Sequence, residues 1–220
     1  MNDQILSGPS FGPASGGTPR QLVVLLHGRG ADGNDLIGLA PLFAEQLPDA
    51  LFLSPDAPQP CDMAPFGLQW FSLIDRSPEN IAAGVRGTAP AIDAFLDHHL
   101  AQHGLTDADL ALFGFSQGCM MALHVGLRRS TAAAAVMGYS GMLAGAESLS
   151  AEITVRPPVL LVHGDGDEIV PHAALAMAET ALRDAGVSVE AVSRPGLGHG
   201  IDDEGVRLAQ AMLGRIFAGR

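Results

Sequence analysis

From Gln21 onward, short apolar runs alternate with longer segments in which Leu, Ala, Ile and Phe recur at three- and four-residue intervals. The runs are Leu22–His27, Ala50–Leu53, Leu110–Phe115, Ala134–Tyr139, Val159–His163 and Val187–Ser193. Most are too continuously apolar for a strand with one wet face, so they read as strands covered on both sides. The periodic segments between them, about Asn34–Gln46, Asn80–His103, Gln117–Arg129, Ala173–Ala185 and Asp203–Phe217, read as helices. Gly104 and Gly186 stand where helix-ending glycines belong. Repetition of strand and helix in this order predicts an α/β architecture, a mostly parallel central sheet with helices on both faces.

The chain has 220 residues, of which 47% are hydrophobic and 16% charged, enough apolar side chain for one compact domain and too much for disorder. Residues 1–20, rich in Gly and Pro, read as an irregular N-terminal arm, and residues 21–220 as the domain. Twelve basic against 24 acidic residues give a formal charge of −12, which repels phosphate backbones and anionic lipid, so no nucleic-acid partner is expected. No run is long enough for stable membrane insertion, and the N-terminus lacks the apolar core of a secretory leader. Cys61 and Cys119 are too few for a disulfide framework and have no CxxC spacing, although a single bridge between them stays open. A cytoplasmic location is the expectation.

The sharpest chemical signal is Gly114-Phe115-Ser116-Gln117-Gly118, which follows the apolar run Leu110–Phe113 and opens the helical segment from Gln117. A GxSxG at a strand-to-helix turn lifts the serine hydroxyl above the sheet, and its glycines allow the close packing that a strained turn needs. The helix behind it presents its N-terminal N–H groups and positive dipole end to the same point. Ser116 is therefore the candidate nucleophile. Cys119, one turn into the helix, reads as core.

A serine hydroxyl needs a base to take its proton and a carboxylate to orient that base. Of eight histidines, His98, His99, His103, His124 and His172 fall on or beside helices, whereas His199 lies in the loop Gly196–Gly200 between the last strand and the last helix. His199 is the candidate base. After the strand Val159–His163 come Asp165, Asp167 and Glu168. Asp165 suits the tight turn between Gly164 and Gly166, Glu168 suits solvent, and Asp167 is the candidate orienting acid. Asp202 and Asp203 read as the start of the last helix. His163, Asp165, Asp167 and His172 crowd together without a recognised ligand spacing, so no metal is expected.

Attack on a carbonyl creates an oxyanion, for which the candidate donors are the backbone N–H groups of Gln117, just after the serine, and of Arg29 in the turn His27–Gly30. The Arg29 side chain reads as an exposed structural arginine, with contact to a substrate carboxylate as the alternative. Two long connections, Ser54–Ser77 and Gly141–Arg156, interrupt the strand–helix order. The first carries Phe66, Trp70 and Phe71, candidates to line an apolar acyl pocket, with a plain cover over the sheet edge as the competing reading.

The segments LLHGRGADGNDL at 25–36, QWFSL at 69–73, GFSQG at 114–118, HGDGDEIVP at 163–171 and GLGHGI at 196–201 occur in an order that resembles the phospholipase/carboxylesterase family of α/β-hydrolases, which includes acyl-protein thioesterases. The resemblance runs from about Gln21 to the C-terminus. It implies an α/β-hydrolase fold without a large lid, and Ser116, Asp167 and His199 as a catalytic triad, with Arg29 and Gln117 N–H as the oxyanion hole. It also implies hydrolysis without a cofactor of small-molecule esters: short- to medium-chain carboxylic esters, lysophospholipids or thioesters. Many members carry Leu at the position of Arg29. Some relatives pair into homodimers near the active site, a second use open to Pro65–Leu73. Ser116 argues against the related enzymes with an elbow cysteine, and a complete triad argues against a binding module that has lost its chemistry.

Overall fold

The computed structural model describes residues 5–218. Residues 1–4 of the expected arm and residues 219–220 of the expected domain lie outside the described residues. Seven strands form the main sheet: β1 (Ser10–Phe11), β2 (Gln21–Leu26), β3 (Ala50–Leu53), β6 (Leu110–Phe115), β7 (Ala135–Tyr139), β8 (Val159–Gly164) and β9 (Val189–Arg194). Their spatial order is β1-β3-β2-β6-β7-β8-β9, parallel throughout except for β1, which runs antiparallel to β3. A two-stranded ribbon, β4 (Gln59–Pro60) with β5 (Leu68–Gln69), stands apart.

Alternation along the strands divides the core into two layers. Leu22, Val24, Leu26, Leu112, Val136 and Leu161 face one side, under α3 (Pro78–His103), α4 (Gln117–Gly126) and α6 (Ala173–Asp184). Val23, Leu25, Phe52, Phe113, Tyr139 and Val162 face the other, under α1 (Gly33–Ile37), α2 (Ala40–Ala44) and α7 (Asp203–Phe217). With both faces covered, β2 is buried at every residue, which explains its apolar run from Leu22 to Leu26. The short helix α5 (Leu149–Glu152) lies in the connection after β7. Among the described residues no helix is long and apolar enough to cross a membrane.

Three expectations change. The segment Asn34–Gln46 is two short helices, because Pro41, which has no N–H to give, fits only a first helical turn and therefore starts α2. The helix after the serine stops at Gly126, short of Arg129. The arm is not wholly irregular: Ser10 and Phe11 pair with Leu53 and Phe52 and cover a sheet edge that would otherwise expose unpaired backbone groups.

Arg129, just past α4, ties the helical layer together. Its side chain is buried and reaches Asp107 at 2.7 Å, Asp93 at 3.0 Å and Asp97 at 2.7 Å, joining the end of α4 to α3 and to the turn before β6. Burial raises the Asp93 carboxyl even with the guanidinium beside it. Removing the cation would leave three carboxylates repelling one another around a buried hole. Arg129→Met is expected to lower stability by about 3 kcal/mol, the low end for a broken buried ion pair because Asp93 and Asp97 are partly solvated. Urea unfolding of the two proteins measures this, and an unchanged midpoint would show that the cluster adds nothing.

Candidate active site

Ser116 occupies the turn between β6 and α4 with φ 54° and ψ −115°, a conformation that L-residues seldom adopt. The turn is held from several sides. The Ser116 N–H donates to the Tyr139 carbonyl at 2.8 Å, tying the nucleophile position to β7. A Cβ on Gly118 would lie 1.9 Å from the Leu26 carbonyl oxygen, and one on Gly114 would lie 2.2 Å from that of Gly118, so both flanking positions require glycine. The sequence pattern GxSxG thus reflects a direct steric need.

The predicted acid and base converge on this serine. His199 Nε2 stands 3.0 Å from Ser116 Oγ, and His199 Nδ1 stands 2.8 Å from Asp167 Oδ2. The His199 side chain keeps 19% exposure, so a substrate can reach it, while the Asp167 carboxylate is fully buried. The Phe115 ring packs on the imidazole at 4.9 Å. Asp167 is held on both oxygens: Oδ1 accepts from the N–H groups of Ile169 and Val170, each at 2.9 Å. Burial pushes its carboxyl up, but the Val170 N–H, His199 and the Ile169 N–H together outweigh it and hold the group below the usual carboxylate range. Asp167 therefore stays ionised at neutral pH, as an orienting acid must.

The other carboxylates fall elsewhere. Glu168 is exposed, and Asp202 caps α7 by accepting from Gly205 N–H at 2.8 Å. Asp165 differs from expectation: it accepts from Gly196 N–H at 2.7 Å, binding the acid loop to the loop of His199 rather than bracing its own turn. Cys61 and Cys119 are free thiols, and burial pushes the Cys119 thiol up to about 12, so it is no nucleophile at neutral pH.

The two candidate oxyanion donors flank the serine. Gln117 N–H is the first of α4, and among the described residues neither it nor Arg29 N–H has a hydrogen-bond partner. Gly28 holds the Arg29 turn close, since a Cβ there would be 3.4 Å from Ser116 Cβ. Two groups that sequence reasoning passed over support the arrangement. Buried His27 accepts from Ala57 N–H at Nε2, 3.0 Å, and so carries its proton on Nδ1, which donates to the Gly28 carbonyl at 2.8 Å. Burial lowers the pKa of His27 and keeps this neutral form. The Gln117 side chain accepts from Trp70 N–H and donates to the Phe71 carbonyl, anchoring the elbow to the long connection after β3.

Buried His163, weighed in the sequence only as a metal ligand, is a third supporting group. Its Nε2 lies 3.0 Å from the Val170 carbonyl and 3.2 Å from Asp167 Oδ2. A carbonyl only accepts, so Nε2 bears the proton and donates it to Val170, with the Asp167 carboxylate alongside. The signal available in the sequence was a histidine at the end of an apolar run, which both His27 and His163 satisfy.

The expected aromatic pocket is not there. Trp70 and Phe71 are core residues, fully or nearly fully buried, and Trp70 donates its indole N–H to the His27 carbonyl at 2.9 Å. Phe66 is 72% exposed on the β4–β5 ribbon. The physical reason is that the connection folds back under the oxyanion turn, where Trp70 finds both apolar cover and an acceptor. An apolar cleft of about 380 Å³ lies instead on the β7 side, lined by Ile81, Met142, Leu143, Ala144, Ala174 and Met177 among others. Met142 on its wall follows Gly141, at which a Cβ would lie 2.8 Å from the Ser116 carbonyl oxygen.

A sequence model described as phospholipase/carboxylesterase matches residues 14–216. Esterase YpfH of Escherichia coli is 30% identical over 190 residues, 86% of this chain and 80% of that protein. Acyl-protein thioesterase 1 of Neurospora crassa is 26% identical over 80% of this chain and 79% of its own length. The crystal structure of esterase PE8 superimposes with a TM-score of 0.92 at 43% identity, covering 96% of this chain and 99% of that one. With the family match spanning nearly the whole chain, this protein belongs to the phospholipase/carboxylesterase family of α/β-hydrolases.

Proposed function

We propose that the protein is a carboxylesterase that cleaves short- to medium-chain acyl esters through an acyl-serine on Ser116, with His199 as base and Asp167 as the acid that orients it. The observation that carries this reading is the continuous relay from Ser116 Oγ to His199 to Asp167, at 3.0 and 2.8 Å, beside two unpaired backbone N–H groups. In the first half-reaction His199 Nε2 takes the serine proton as Oγ attacks the ester carbon. The oxyanion is held by Arg29 and Gln117 N–H, a type of donor contributing about 2.7–4 kcal/mol each. Collapse expels the alcohol, which receives the proton back from His199. Water then repeats the sequence on the acyl-serine and releases the carboxylic acid.

The acyl chain is assigned to the cleft at Met142. Its walls are largely aliphatic, and its volume of about 380 Å³ lies within the range of small-ligand sites. Apolar burial there strengthens with each methylene until the cleft is filled.

A series of p-nitrophenyl esters from acetate to palmitate, with wild type and Ser116→Ala at equal concentration, tests the core of this reading. The variant is expected to lose about 10⁴-fold or more of the activity. Equal slowness of both proteins on every ester would sink it in favour of a non-catalytic binding role. Ala174→Phe, which narrows the cleft, is expected to move the preferred chain length downward while leaving acetate hydrolysis near wild type; an unmoved optimum would put the acyl chain elsewhere. His163→Phe keeps the ring's bulk but withdraws the N–H that holds the Val170 carbonyl, and so loosens the turn whose Ile169 and Val170 N–H groups hold Asp167. It is expected to lower kcat about tenfold with KM little changed, and His163→Gln, which restores a donor, to recover part of it.

A further inference from the structure

Four arginines among the described residues are partly or fully buried: Arg29, Arg128, Arg129 and Arg194. Three have carboxylate partners. Arg128 meets Glu152 at 2.7 Å, Arg194 meets Asp202 at 3.0 Å, and Arg129 meets its three aspartates. Arg29 has neither a hydrogen bond nor an ion pair, and its Nη1, closed off from solvent, is left without an acceptor. A guanidinium is charged at every pH the protein meets and presents five donors, so a partly buried one with no acceptor calls for a reason. The sequence had suggested an exposed structural arginine; the fold instead partly encloses it beside the serine.

The Asp62 carboxylate does not supply that reason. Asp62 feels the charge of Arg29, but its carboxyl is held low first by the Ser72 hydroxyl, and it forms no ion pair with the guanidinium. The position of Arg29 supplies a better one. It follows Gly28, which abuts Ser116, and so lies on the β2 side of the nucleophile, whereas the apolar cleft opens on the β7 side. Strand β6, which leads to Ser116, runs between the two. With the acyl chain assigned to the cleft, the alcohol half of the ester is assigned to the Arg29 side.

We propose that the Arg29 guanidinium binds a carboxylate on the alcohol half of the substrate, so that this esterase selects anionic esters. The inference rests on the esterase reading above and adds the substrate class. The planar fork of a guanidinium matches a carboxylate in two parallel hydrogen bonds. The acyl half, in an aliphatic cleft, remains uncharged.

The test compares three butyrate-sized esters: 4-carboxyphenyl butyrate, its neutral analogue 4-carbamoylphenyl butyrate, and monophenyl glutarate, which carries the charge on the acyl half. Each is measured with wild type, Arg29→Met and Arg29→Lys. All variants keep the residue-29 backbone N–H, and any general effect of the substitution cancels in the ratio between substrates. Wild type is expected to prefer the carboxyphenyl ester over both others. Arg29→Met should cut kcat/KM for it by at least about tenfold more than for the carbamoyl analogue, chiefly through KM, with Arg29→Lys between the two. Equal losses on both phenyl esters, or no wild-type preference, would overturn the proposal while leaving the esterase reading intact. A preference for monophenyl glutarate would move the anion to the acyl half and overturn this assignment. Failure to hydrolyse any of the three would reject both readings.

Discussion

The close approach of α4 to the end of β2 governs the rest of the site. The Leu26 carbonyl and the first turn of α4 lie so near that a single methyl group on Gly118 would force them apart. This contact lets the helix start abruptly, throws Ser116 into its strained conformation, and brings the N–H of Gln117 beside the turn that carries Arg29. Strain of this sort persists only where surroundings over-determine it. Here they include the Ser116–Tyr139 hydrogen bond, the wholly buried α4 and the anchoring of Gln117 to the 70–71 segment. The candidate nucleophile and the candidate oxyanion donors are thereby positioned by one packing solution.

The candidate base and acid, His199 and Asp167, lie on loops after β9 and β8. Loops are ordinarily the least fixed parts of a fold, yet these two brace each other. Asp165 accepts from Gly196, Gly166 N–H donates to the Leu197 carbonyl, and Gly164 can have no side chain because the Leu197 carbonyl oxygen lies where its Cβ would be. His163 holds the Val170 carbonyl, in the turn whose N–H groups fix the Asp167 carboxylate. His199 thus gains a defined ring orientation while its Nε2 edge stays open to Ser116 and to solvent.

Polar groups buried around the site form a pattern of matched donors and acceptors. His27, Gln117, Trp70 and Thr88 satisfy one another or nearby backbone groups, which is what a low-dielectric interior demands. Arg29 stands out against this background because its charge has no such match. The contrast between four enclosed arginines gives that one residue its meaning.

Much of this was legible in the residues. Apolar runs of strand length and helical periodicities are local consequences of burial, so the sheet, the helices and the two covered faces could be read directly. Ser116, Asp167 and His199 could be read because each sits at a strand end among glycines, where backbone geometry restricts the residue type. The split of α1 from α2 at Pro41 was also a local matter and could have been seen. What tertiary structure decided was everything that depends on contacts between distant segments. Ser116 and His199 are 83 positions apart, and only the sheet order brings them to 3.0 Å. Trp70 and Phe71 looked like pocket walls because aromatic residues in a loop suit a pocket and a core equally; only the fold of that connection chose the core. The cleft at Met142 is assembled from three separate elements, and the unmatched charge of Arg29 is visible only against the partners its neighbours found. Sequence determines which residues can take part, since that follows from local chemistry, whereas their partners follow from packing in three dimensions.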